Sequence, residues 1–81
     1  MLAKKQKKPI DDVLKKIIEM ESNSNYIDLL AYNFLENYII VDVSNTYVKN
    51  FISMIKVLAE RFTYTQSINQ FANKSRLTFK F

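Results

Sequence analysis

The chain has no cysteine, no histidine, no glycine and no tryptophan, and only one proline among 81 residues. Without Cys or His there is no disulfide, no structural zinc site and no thiol or imidazole catalysis. An average chain of this length would hold about six glycines. Their absence removes the phosphate-cradling loop and the dinucleotide fingerprint, and with them the usual nucleotide-dependent enzymes. No apolar run is long enough to span a membrane. The opening "MLAKKQKKP" is basic without an apolar segment behind it, so it does not read as a secretory signal, and an intracellular protein is expected.

What is present is a globular balance, 48% hydrophobic and 25% charged, of a size for one domain. The net charge of +4 is unevenly spread. Residues 1–8 carry Lys4, Lys5, Lys7 and Lys8 and no acid, whereas residues 9–42 carry seven acids against Lys15 and Lys16. Residues 43–81 return to six cations against Glu60 alone. Such segregation points to a polyanionic partner for the basic regions, against the plain alternative of a solvated surface.

Residues 1–8 are expected to form a flexible basic arm ahead of a single domain over 9–81. Pro9 suits a first helical turn, and Asp11 and Asp12 complement the positive end of the helix dipole. Ile10, Val13, Leu14 and Ile17 then repeat at helical spacing, which predicts a helix over about 9–21. "SNSN" at 22–25 caps and turns the chain, or equally kinks one longer helical region. Ile27, Leu30, Ala31, Phe34, Leu35 and Tyr38 continue at helical spacing and predict a second helix. The β-branched run "YIIVDVS", 38–44, reads as a strand, with Ile39 and Ile40 as the alternative continuation of the second helix.

A third helix over about 46–62 would bury Val48, Phe51, Ile52, Ile55, Leu58, Ala59 and Phe62. Its other side would present Thr46, Lys49, Asn50, Ser53, Lys56 and Glu60 as one polar stripe. Ser67–Asn73 is expected as a short fourth helix with Ile68, Phe71 and Ala72 inward. In "RLTFKF", Leu77, Phe79 and Phe81 alternate with Arg76, Thr78 and Lys80, the clearest strand in the sequence, and 38–43 is its natural partner. No internal repeat is apparent. The expected fold is therefore α+β, with three to four helices packed on a small antiparallel sheet that includes the C-terminal strand.

The acids do not converge with a nucleophile or base. Asp11 and Asp12 point about 100° apart on a helix, and Asp42 and Glu60 read as ion-pair or surface groups, so no enzyme is expected. Most of the phenylalanines fall on inward faces as core; Tyr47 and Tyr64, near helix ends, are the better stacking candidates. The segment "LAERFTYTQSINQFANK", 58–74, has the outline of a helix-turn-helix. Thr63 stands where that motif wants glycine, however, and Asn69 where it wants an apolar residue.

A second likeness covers more of the chain. "PIDDVLKKI", "NYIDLL" and then "YIIVDVS" through the C-terminal strand resemble, over residues 9–81, the eukaryote-specific ribosomal protein twenty-two family of the large subunit, in a shortened form. Tyr47, Lys49, Phe51, Ile52, Ile55 and Arg61 follow its long helix. Ile68, Phe71, Ala72 and Asn73 follow its second helix, and Leu77 and Phe79 its closing strand. The family's leading strand and its glycine hairpin are missing here, and Asn50, Ser53 and Val57 stand at positions basic in its long helix.

The resemblance implies a structural constituent of the large ribosomal subunit, cytoplasmic and ribosome-bound, that binds ribosomal RNA beside neighbouring ribosomal proteins. It implies no catalysis, cofactor, metal, membrane or small-molecule substrate. The RNA-binding residues expected from charge and placement are Lys4, Lys5, Lys7 and Lys8 in the arm, Lys49, Asn50, Ser53 and Lys56 on the long helix, and Arg61, Lys74, Arg76 and Lys80. The alternatives are a small helix-turn-helix or winged-helix DNA-binding regulator from a mobile element, and a protein-interaction module that uses a sheet edge.

Overall fold

The computed structural model describes residues 9–69 and 71–81. The order is α1 (Pro9–Asn23), β1 (Ile27–Asn33), β2 (Tyr38–Ser44), α2 (Val48–Leu58), β3 (Thr63–Asn69) and β4 (Lys74–Lys80). The four strands form one antiparallel sheet in the order β1-β2-β4-β3. The fold is α+β, but with two helices rather than the three to four expected.

Helix α1 forms as its sequence demands, with Asp11 and Asp12 in the first turn and Ile10, Val13, Leu14 and Ile17 buried. Its end is closed by side chains. Ser22 Oγ donates to the Ile18 carbonyl at 3.1 Å and Asn23 Nδ2 to the Glu19 carbonyl at 2.9 Å. Helix α2 buries Val48, Phe51 and Ile55. It stops at Leu58, short of the expected 62, because Ala59 turns extended at φ −139°. That exit lets Phe62 pack its ring against Phe79 and Phe81, with centroids 5.7 and 6.0 Å away.

The second expected helix is replaced by β1 and the turn after it, and the fourth, expected over 67–73, by the end of β3 and a turn at 71–73. Residues 27–33 look helical because a β-bulge puts Leu30 out of step: Leu29 pairs with Val41 and Ala31 with Ile40. A bulge breaks the two-residue alternation and leaves an apolar spacing that mimics a helix. Residues 63–69 carry no alternation because every one of them is exposed, so no buried face imposes a period. Phe71 and Ala72, expected inward, lie in the exposed turn that follows, and Ile68 is exposed on the strand.

The core is a single layer between the helices and one face of the sheet. Ile27, Ile39, Val41, Val43, Leu77 and Phe79 point into it and meet α1 and α2. The pairing of β2 with β4 agrees with expectation, from Tyr38 opposite Lys80 to Ser44 opposite Lys74. Among the described residues, the other sheet face carries no helix. The buried polar side chain, Ser75, is satisfied: its hydroxyl donates to Asn45 Oδ1 and accepts from Gln66 Nε2 at 3.1 Å.

The molecule is a doubled helix-hairpin, which the sequence does not announce. Strands β3 and β4 begin 36 residues after β1 and β2, at 63 against 27 and 74 against 38. Both hairpin turns run from one Asn to another with no glycine. Asn33 Oδ1 accepts the Glu36 amide at 3.0 Å, and Asn69 Oδ1 accepts the Phe71 and Ala72 amides at 3.1 and 3.2 Å. Asn37 and Asn73 then take the left-handed conformation, each at φ 54°.

Candidate nucleic-acid interface

Side-chain placement divides the expected binding residues into three groups. Lys49, Asn50, Ser53 and Lys56 all stand exposed on the outer side of α2. Positions 49, 53 and 56 follow helical spacing, and Lys49 and Lys56 are about 10 Å apart along the axis. No acidic residue lies within α2, and neither lysine forms an ion pair among the described residues. The polar stripe expected from the sequence is there, on a helix shorter than anticipated.

Arg61 and Lys80 form the second group, at the end of the sheet where α2 passes into β3. With Glu60, Thr63 and Phe81 they line one open depression. Lys80 also borders a shallow groove of about 430 Å³ on the helix-free sheet face, beside Tyr38, Ile40, Thr65 and Thr78. The alternation in 38–44 puts Tyr38 and Ile40 on that face, so the signal for this groove was available in the sequence.

Lys74 and Arg76 are the third group, and they are engaged. Arg76 Nε lies 3.1 Å from Asp42 Oδ1, directly across β2 and β4. Lys74 Nζ reaches over β2 to Asp28 Oδ2 on β1 at 2.7 Å. That hydrogen bond and the charge of Asp28 raise the lysine above its ordinary pKa of 10.5. Both cations spend their charge within the sheet, so they are less available to an external phosphate than the α2 lysines.

The expected residues are therefore not gathered on one surface. The α2 group lies on the helix layer, and Lys74, Arg76 and Lys80 lie on the opposite, helix-free face, with Arg61 at the sheet end. Lys4, Lys5, Lys7 and Lys8 lie outside the described residues. Of the two tyrosines considered for stacking, Tyr47 is half-buried and stacks on Tyr26 at 5.9 Å, while Tyr64 is 43% exposed and touches the rings of Phe62 and Phe79. Among the described residues, no group of three or more potential metal ligands assembles, and no helix is long and apolar enough to cross a membrane.

The fold and the surface together define a small two-layer α+β domain with a basic stripe on α2. Set against known family models, curated proteins and solved structures, the chain matches none.

Proposed function

We propose that this chain is a non-catalytic RNA-binding domain that grips the phosphate backbone rather than reading bases. One observation carries the reading: Lys49 and Lys56, with Asn50 and Ser53 beside them, stand exposed on an acid-free helix, with no ion pair among the described residues. Cations already paired within the protein gain little from a phosphate, whereas unpaired ones release condensed counterions on contact. Arg61 and Lys80 extend the cationic surface toward the sheet end, and the lysines of residues 1–8 add four charges in the sequence. Scattered Lys, Asn and Ser suit recognition of RNA by shape and backbone.

The ribosomal setting rests on the resemblance alone. One element that carried it, the short helix over 67–73, is a strand and turn here. The same finding bears on a DNA-reading helix: the described residues of segment 58–74 hold β3 and a turn, and none of them forms a second helix to enter a groove.

The test is binding of the full chain to duplex RNA, single-stranded RNA and duplex DNA across a salt series, with co-sedimentation on large ribosomal subunits at moderate salt. Salt-dependent RNA binding and co-sedimentation are expected. Absence of RNA binding even at low salt would remove the proposal. RNA binding without co-sedimentation would keep the domain and remove the ribosome.

A further inference from the structure

The two edges of the sheet are built differently. Edge strand β1 is guarded: it carries the bulge at Leu29/Ala31 and a charge at Asp28, and Glu21 Oε2 accepts the Leu29 amide at 2.9 Å. These are the devices by which sheet edges avoid pairing with other chains. Edge strand β3, "TYTQSIN", has none of them. It is seven residues long, in unbroken register with β4, without charge or proline, and exposed throughout. Helix α1 packs on β1, whereas α2 packs against β2 and leaves Tyr64 and Ile68, 43% and 63% exposed, on the helix side of β3.

We propose that β3 is a self-association strand, through which two copies of this chain pair antiparallel about Gln66 to form one eight-stranded sheet. Centring on Gln66 engages all seven residues. Tyr64 then faces Ile68 of the second copy on the helix side, an aromatic against a β-branched residue, and the symmetry repeats the contact. On the other face Thr65 meets Ser67, and Thr63 meets Asn69, as hydroxyl and amide partners.

Self-complementarity selects this occupant, because the twofold register covers exposed Tyr64 with exposed Ile68 twice, and charge permits it at this strand. Two chains of net charge +4 repel, and an uncharged strand is where they can meet without like charges opposed. The nearest cations on β4, Lys74 and Arg76, are held by Asp28 and Asp42. A single strand seam is small for a specific interface, so the association is weak, with Kd on the order of 10–100 μM. It would place two copies of the helix-free face side by side, and it stands whether or not the domain binds RNA.

The experiment exploits the absence of cysteine from the chain. Opposed residues in an antiparallel pair lie about 4.5–5.5 Å apart, within disulfide reach. Full-length Gln66→Cys should therefore form a disulfide-linked dimer under mild oxidation much faster than Val57→Cys, whose position on α2 is 84% exposed but away from the seam. Sedimentation of the unmodified chain should show reversible dimer. Gln66→Lys and Gln66→Glu should each be monomeric and should pair when mixed. The cysteine comparison stands even if a charged variant fails to fold, as checked by circular dichroism. A chain that stays monomeric to about 1 mM, or a Gln66→Cys that cross-links no faster than Val57→Cys, overturns the proposal.

Discussion

Val41 and Leu77 face one another across β2 and β4, and they are the same position in the two halves of the molecule. Pairing spreads outward evenly from them, to Tyr38–Lys80 on one side and Ser44–Lys74 on the other. A pseudo-twofold axis therefore passes between these two side chains. The loops obey it as well. The Phe81 amide donates to the Asn37 carbonyl at 2.9 Å, and the Asn45 amide to the Asn73 carbonyl at 3.1 Å, each 36 residues from its counterpart. The four-stranded sheet is two hairpins joined through their second strands, and its core converges on the axis.

The axis makes the core sensitive at its centre. Val41 and Leu77 are both fully buried. Leu77→Ala should cost about 3 kcal/mol and Val41→Ala about 2 kcal/mol, as lost transfer energy plus an unfilled cavity. Leu77→Asp should unfold the domain, since an unpaired carboxylate cannot be accommodated there. Urea denaturation followed by circular dichroism measures all three. A folded, cooperative Leu77→Asp would show that the last strand does not lie against the core.

The hairpin turns make a second prediction. Asn37 and Asn73 hold φ 54°, a region that costs a residue with a Cβ about 1–2 kcal/mol and that Asn tolerates better than most. Asn37→Ala should lose roughly 1 kcal/mol, and Asn37→Gly should stay within about 0.5 kcal/mol of the parent. Asn73→Gly should lose more than Asn37→Gly, because Asn73 Oδ1 also accepts from Asn45 Nδ2 at 3.3 Å. Thermal melts of the three variants and the parent check the order.

The sequence makes legible those elements whose one face is buried without interruption. Strand β2 begins and ends where its β-branched run does, β4 follows its alternation, and α1 and α2 follow their apolar stripes. Strand β1 is hidden by one extra residue, Leu30, and β3 by having no buried side. The turn chemistry was readable in principle: Asn33–Asn37 and Asn69–Asn73 repeat the same spacing, but without glycine the signal is faint. Among the site residues, the α2 stripe is visible as helical spacing. That Lys74 and Arg76 are neutralised is not, because Asp28 and Asp42 lie 46 and 34 residues away in the chain.

Lys74 should leave a signature in alkaline solution. Its pKa is raised in the folded state, first by the hydrogen bond to Asp28 and then by that carboxylate's charge. A raised pKa means that the bridge's stabilisation is fully present below the unfolded value near 10.5 and is lost as pH rises through the folded value. Lys74→Met should therefore be less stable than the parent by a constant margin at neutral pH. The two stability curves should close on one another above the ordinary lysine range. A margin that persists unchanged in strong alkali would assign the effect to packing of the side chain rather than to its charge.

The division between unpaired and paired cations gives the sharpest test of the binding face. If Lys49 and Lys56 each contact a phosphate, Lys49→Ala with Lys56→Ala should lower the slope of log Kobs against log salt by roughly 1.5, since each contact contributes about 0.7–0.9. Arg76→Ala should change the slope far less, because the native arginine already spends its charge on Asp42. It should even expose that carboxylate and weaken binding slightly through repulsion. Neither α2 substitution should alter the melting temperature appreciably, as both side chains are exposed and make no ion pair among the described residues. Equal slopes for the double α2 variant and the parent would move the interface to the sheet end, where Arg61 and Lys80 lie together.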